Sequence, residues 1–485
     1  MSTRPPRLST WLRRAAVALV CLVSAMVLYW QWENWRSARE LAAARQHLIA
    51  RLGTDDMLQL APPTVPDEQN YFALPVIESW MTKQGSRLVY MAPLDKLVSP
   101  ALAVPEMKDG HLDLVAWAAA RASAGRPLPA GTLPAVVLDQ ELGDGGGLLP
   151  PLAQGLGRPH SRMKPDRRQQ IEAAHGNAWD IEPPSFGHFN QWMRGLSLHL
   201  RAAALAGNGS KAATTALVSL RFAEAPGGHG LVGGLVVVAA DNIAFEALHE
   251  ALACHCWDEA ALVRLQLRLA AGNDLKVLNQ ALANEAVWTF QTGLYFRDKR
   301  PTSPEWQQPG HAVEDFAIRH GPVGWLDAGI AYYTERNLDF IGPPGDNAWI
   351  EGWHRYDAAS ERVKKETQGW WNFRRTLAAI RFPNFGNLWA AAAENQFHRR
   401  CLIIACSLER YRLQHGEFPA SLDPVLGGLA AFQLSDPARP GHLPGYRREG
   451  PGYVLWSAGK DGKNDGGDVD KDWLWWMSSQ PLAAH

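Results

Sequence analysis

Charge vanishes from the chain between Ala15 and Trp32 and returns on either side, with Arg4, Arg7, Arg13 and Arg14 before the gap and Glu33 and Arg36 after it. A helix of about eighteen uncharged, mostly apolar residues just crosses a hydrocarbon core of about 30 Å, so the pattern predicts a membrane-spanning segment. Tyr29, Trp30, Trp32 and Trp35 at its far end suit the headgroup layer, and the leading arginines place the start of the chain in the cytoplasm. The bulk of the protein is then expected outside the cytoplasm, tethered to the cell membrane through residues 15–32. A cleaved signal peptide competes, with Val23-Ser24-Ala25 as its cleavage site. A buried core helix is a third reading. Cys21 follows Val20, where lipidation needs a small residue, so a lipoprotein is not expected.

Beyond the anchor, Arg36 to Arg51 reads as a short amphipathic helix leading away from the bilayer. Pro62, Pro63 and Pro66 forbid a regular helix before Asn70, which predicts an extended stalk or strap. A helix should follow through Trp80. Another is expected over His111 to Ala124, where Leu112, Val115, Ala116 and Ala119 share one face. From Gly125 to Pro184 glycine and proline dominate, and only Asp166 to Ala174 suggests a short helix.

The period then becomes strongly helical from Phe186 to Phe296, with apolar stripes such as Leu235, Val238, Phe245, Leu248 and Leu252. Breaks at Gly207-Asn208-Gly209, Pro226-Gly227-Gly228, Trp257-Asp258 and Gly272-Asn273 divide this stretch into five helices, with Asp258 and Asn273 placed as N-caps. Short turns between them predict stacked helical hairpins, similar in kind to α-solenoids. Arg300 to Gly310 is irregular, and helices are expected over 322–339 and 348–380. A last long helix, Asn387 to Gln414, should stop at His415-Gly416, where glycine takes the left-handed conformation. The fold class is therefore mainly α, with a membrane helix, a solenoid-like body and a small C-terminal α+β antiparallel module. The corresponding divisions are 1–35, 36–185, 186–384 and 385–485.

A chain of 485 residues is long enough for two or three domains, and 46% hydrophobic with 20% charged residues is a globular composition. The formal net charge of −1 gives no sign of nucleic-acid binding. The 21 tryptophans admit aromatic platforms for sugars, although large rings more often fill cores or membrane interfaces. Outside the cytoplasm Cys254, Cys256, Cys401 and Cys406 are free to pair, or they remain buried thiols; spacing does not decide.

The most concentrated chemistry lies near the C-terminus. Asp461, Asp465, Asp468, Asp470 and Asp472 repel one another unless they are splayed into water or share a cation, and Asn464 adds an amide oxygen among them. Hard oxygen ligands on a glycine-containing loop suit calcium. With Asp461 as position 1 of an EF-hand, Lys463 falls on position 3, so a true EF-hand is rejected. A solvated acidic turn is the alternative.

The order Tyr411, His415-Gly416, Phe418-Pro419, Leu422, Asp436-Pro437, Tyr446-Arg447, Leu455-Trp456-Ser457-Ala458-Gly459 and Asp472-Trp473 resembles the C-terminal half of the major pseudopilin of type II secretion. That resemblance implies a small antiparallel sheet after a long helix, with a calcium ion pinning the last loop. The family's processed N-terminal signal is absent from Met1 to Leu28, so pilus assembly is not implied. With Asp67-Glu68-Gln69-Asn70-Tyr71-Phe72 near the start, the whole chain resembles uncharacterised membrane-anchored proteins of planctomycete and verrucomicrobial type bacteria. Those families imply architecture and no activity.

Other candidate chemistry is sparse. Cys254, His255 and Cys256, with His249 and Asp258 nearby, are the most metal-like group, yet adjacent helix positions diverge by about 100°. Glu394 and His398 lie one helical turn apart without a zinc-protease pattern, and no Gly-x-Ser-x-Gly elbow occurs. Asp144-Gly145-Gly146-Gly147 lacks the Lys-Ser/Thr of a phosphate loop. The expectation is a membrane-anchored extracytoplasmic interaction or scaffold protein with a protein partner in the cell envelope. The alternative is an envelope-polymer hydrolase with its cleft beside the Gly125 to Pro184 segment.

Overall fold

The computed structural model describes residues 8–84, 87–90, 97–98, 104–108, 111–175, 177–181, 186–300, 319–342, 349–367, 373–375, 386–427 and 434–477. It is mainly helical, with one three-stranded antiparallel sheet near the C-terminus. The long apolar helix near the N-terminus passes by length and composition as a membrane span.

That helix, α1, runs unbroken from Leu8 to Leu52, so the anchor and the amphipathic helix expected beyond it are one element. Its large apolar residues from Trp11 to Trp32 are exposed, whereas Glu33, Ser37, Leu41, Ala44 and Leu48 are buried along one stripe of helical period. The stripe packs on a helix much later in the chain, α9 (Val323–Phe340). Gly324 permits the closest approach, because a Cβ there would stand 2.7 Å from the Glu33 carbonyl oxygen. The two helices run parallel: the Gly324 amide donates to Asn34 Oδ1 at 2.7 Å, His47 meets Glu335 at 2.7 Å, and Arg51 donates to the Ile341 carbonyl at 3.0 Å. Burying a leucine such as Leu41 or Leu48 stabilises this contact by about 1.5–3 kcal/mol each.

The region before the main helical body corrects two expectations. His111 and Leu112 form strand β4, paired antiparallel with β3 (Met107–Lys108), and helix α2 (Leu114–Ser123) starts only after Asp113, whose carboxylate caps the Ala116 amide at 2.8 Å. The Asp cap overrides the helical period read through Leu112. The glycine- and proline-rich stretch also holds α3 (Pro134–Leu142) and a short helix at Leu149–Gln154, both begun by proline in the first turn. The expected helix near 166–174 is present as Arg167–Ala173, with a capping box between Asp166 and Gln169. Strands β1 (Met81–Gln84) and β2 (Arg87–Tyr90) form a separate hairpin.

The five helices read from the hydrophobic period are α4 (Phe189–Leu205), α5 (Gly209–Ala223), α6 (Gly230–Ala253), α7 (Glu259–Ala270) and α8 (Asp274–Lys299). Asp258 and Asn273 cap α7 and α8 as expected. Helix α6 is central, packing on α4, α5, α8 and α11 (Gly386–His415). It too is long and apolar enough to cross a membrane, but most of its apolar window is buried inside the chain, as befits a core helix. A Cβ at Gly234 would stand 2.5 Å from the Ala281 Cβ, which explains the small residues where α6 meets α8. Helix α10 is described over Trp349–Thr367, and the expected continuation toward Ile380 lies largely outside the described residues, as do residues 301–310.

The tryptophans Trp80, Trp117, Trp192, Trp257, Trp389 and Trp475 are buried. Trp80 and Trp192 pack, mostly edge-to-face, with Tyr71, Phe72 and Phe222 in one aromatic core, so these rings fill volume and offer no open platform. All five cysteines are free thiols.

Candidate functional site

Helix α11 carries the chain into the C-terminal module, and Gly416 (φ +81°) ends it in the left-handed conformation. Strands β5 (Gly445–Glu449), β6 (Gly452–Ser457) and β7 (Trp473–Met477) form the sheet in sequence order, with Leu455 paired to Tyr446 on one side and Trp475 on the other. One carboxylate joins this sheet to the chain before it. Asp436, only 2% exposed, accepts from Ser457 Oγ at 2.5 Å, the Ala438 amide at 2.8 Å and the Ala458 amide at 3.0 Å. Burial nevertheless pushes its carboxyl above the usual range. Arg400, fully buried on α11, donates to the neighbouring Ser435 carbonyl.

The acidic loop connects β6 to β7. Its neck is closed by a close backbone approach: Gly459 (φ +62°) faces the Lys471 carbonyl, where a Cβ would stand 2.2 Å away. Asp472 is buried and organises the interior, accepting from the amides of Gly467 at 2.7 Å, Asp468 at 3.1 Å and Asp465 at 3.4 Å. Asn464 Oδ1 accepts from Trp456 Nε1 at 2.8 Å and from the Gly466 amide at 3.0 Å, which pins the loop to the sheet. Asp461 and Asp468 each accept the amide two residues on, at 3.0 Å, as turn caps. Asp470 is exposed at the rim.

Of the six residues expected to hold calcium, Asp465 and Asp468 face a common cation. It is the Lys471 ammonium, 3.6 Å from Asp465 and 3.8 Å from Asp468. Asp472 turns its oxygens to backbone donors instead. Among the described residues no three His, Cys, Asp or Glu side chains converge as a metal-holding group.

The cluster at the end of α6 disperses. Cys254 donates its thiol to the Glu250 carbonyl at 3.4 Å, His255 turns away in a left-handed conformation (φ +53°) to meet Glu409 at 3.0 Å, and Asp258 is consumed as a cap. Burial pushes the Cys254 thiol up to about 12, far from a reactive thiolate.

Tertiary packing instead assembles polar groups that spacing did not reveal. Glu250, 3% exposed, accepts from Arg201 Nε at 2.6 Å, and its other oxygen lies 3.7 Å from His111 Nδ1. Burial raises the Glu250 carboxyl against the opposing pull of Arg201 and His111. His249 meets the Trp476 carbonyl and packs tilted against the Trp475 ring, centroids 4.4 Å apart. His398, on the neighbouring helix, is pushed down to about 4 by burial, with His249 adding to the shift. Deeper in the core, Arg399 bridges Asp274 at 2.8 Å and Asp241 at 2.7 Å, all three buried. Chemically the first group is a half-exposed imidazole beside a buried carboxylate, and the last is a structural ion cluster. No sequence signal marks either, because the partners come from separate elements, 49 residues apart for Arg201 and Glu250 and 125 for Arg399 and Asp274.

No protein-family model, curated protein or solved structure matches the chain.

Proposed function

We propose that the protein is a membrane-anchored, extracytoplasmic scaffold or interaction protein. Its helical array would present the binding surface to a partner in the cell envelope, and a pseudopilin-like C-terminal module would close one side of that array. The observation that carries the reading is α1, whose apolar stretch is wholly exposed up to Trp32 while the same helix is packed into the body from Glu33 onward. An exposed apolar helix of that length is stable in lipid and unfavourable in water. Stacked hairpins are supported by the consecutive pairs α4–α5 and α5–α6, although α11 also packs across α6, α7 and α8.

Calcium belongs to the same proposal. The ion would replace the Lys471 ammonium between Asp465 and Asp468, with Asp461, Asn464, Asp470 and Asp472 completing or ordering the site. Metal binding confined to the folded state raises stability by mass action. Asp465→Ala with Asp468→Ala should therefore lower the Tm in calcium and leave it unchanged in chelator. Equal losses in both would remove the ion from the reading.

The anchor is tested in the full chain by extracting membranes with alkaline carbonate. The protein should stay with the membrane, and Leu19→Arg with Leu22→Arg should release it with its helical content intact. Release of the unaltered chain would end the anchor reading, and an intact mass lacking the first 25 or so residues would favour the cleaved signal peptide. A second reading, an envelope-polymer hydrolase, is favoured by one observation, the His111–Glu250 pair. Polymer turnover abolished by His111→Ala in the full chain would promote it over the scaffold.

A further inference from the structure

We propose that the body is seated directly on an anionic phospholipid surface, through a base formed where α1 enters it, α8 ends and α9 begins; this rests on the anchor reading. Trp32 is 49% exposed and Glu33, the next residue, only 1%, so the packed body begins directly where the uncharged run ends. Because α1 continues unbroken to Leu52, no flexible stalk intervenes. At a rise of about 1.5 Å per residue, Glu33 to Arg36 lie within about 6 Å of the end of that run, the depth of the headgroup layer.

Two further elements reach the same level. Helix α9 is parallel to α1, and its first turn is held against Glu33 and Asn34 by Gly324, so its amino end points at the bilayer. Helix α8 runs the other way: Gly293 faces Ile330, Arg297 meets Asp327 at 3.5 Å, and Arg300 donates to the Arg319 carbonyl at 2.7 Å. The carboxyl end of α8 therefore lies beside the amino end of α9. Among the described residues the acids near this level are engaged, Glu33 by Arg374, Glu40 by Arg374 and Arg36, and Asp298 by Arg297. Arg36, which also meets Glu40 at 3.0 Å, and Lys299 are exposed there, beside Trp32, Trp35 and Val323, and Arg39 is exposed about one turn further along α1. Interfacial tryptophans flanked by cations fit a headgroup layer of negative charge.

The test is nitroxide depth measurement on the full chain in nanodiscs containing phosphatidylglycerol, with Cys21, Cys254 and Cys256 replaced by Ser. Labels at Met26→Cys, Val323→Cys and Ile49→Cys report the span, the base and a point about 24 Å along α1 from Glu33. Accessibility to a water-soluble relaxant should be severalfold lower at Val323→Cys than at Ile49→Cys, and lowest at Met26→Cys. Lys299→Cys reports the same base from α8 should the Val323 variant fail to fold. Val323→Cys and Lys299→Cys as accessible as Ile49→Cys, with Met26→Cys in hydrocarbon, would overturn the seat and leave the anchor. An aqueous Met26→Cys would overturn both.

Discussion

Two regions of this protein concentrate carboxylates and resolve their repulsion in opposite ways. In the core, Asp241 and Asp274 converge on the Arg399 guanidinium, and all three are closed off from water. Burial pushes the Asp241 carboxyl well above its usual range while Arg399 pulls it down. In the C-terminal loop the carboxylates spread out, Asp472 alone is buried, and its charge is met by backbone amides. The core pays in desolvation and ties α11 to two helices at once, because Arg399 meets Asp241 on α6 and Asp274 on α8. The loop keeps most charges hydrated and gains a turn. Carboxylate density by itself thus predicts neither an ion site nor instability; access to water decides.

The sharpest way to break the comparison is Arg399→Ala. It leaves two buried carboxylates without a counter-ion and should lower unfolding stability by about 3–5 kcal/mol, read by chemical denaturation. Asp436→Ala should come next, at about 2–3 kcal/mol, since a buried acceptor of a hydroxyl and two amides is lost between the sheet and the rest of the chain. Asp472→Ala should cost about 1–2 kcal/mol and raise hydrogen exchange at the Gly467 and Asp468 amides specifically. Asp470→Ala, at the exposed rim, should stay within about 0.5 kcal/mol in the absence of calcium. If Asp470→Ala in chelator cost as much as Asp472→Ala, the contrast between hydrated and buried carboxylates would fail.

Acidification separates the two regions further. His398 is depressed to about 4 in the folded chain, so between the ordinary histidine range and about pH 4 the unfolded state binds more protons. Its contribution is present at neutral pH and is lost as pH falls through that window. His398→Gln should flatten the dependence there, measured as the difference in stability from the unaltered chain at each pH. The raised carboxyls Glu250 and Asp436 act in the opposite sense, which is why the difference is the proper readout.

Much of the helical body was legible in sequence because its signals are local. Gly207, Gly272 and the caps Asp258 and Asn273 punctuate the chain within a few residues of where each helix starts or stops. Proline misled in one place: the stretch around Pro134 and Pro150 reads as irregular, yet proline in the first turn starts helices there. The acidic loop was visible as composition, but its arrangement around Asp472 was not, since any of five carboxylates could have turned inward. The His111–Glu250–Arg201 group was invisible for a different reason: its members meet only after β4, α4 and α6 have packed.

Local chain physics, then, determined the long apolar helix, the helical periods, the caps and glycine stops, and the acidic composition of the last loop. These depend on contacts within about one turn or on the cost of exposing apolar surface along a single element. Tertiary structure alone decided that α1 is one rod from the exposed apolar run into the body, that α9 lies parallel to it, and which charges are buried together. Those outcomes depend on pairings across tens to hundreds of residues, where many placements satisfy the same periodicity and packing density selects one.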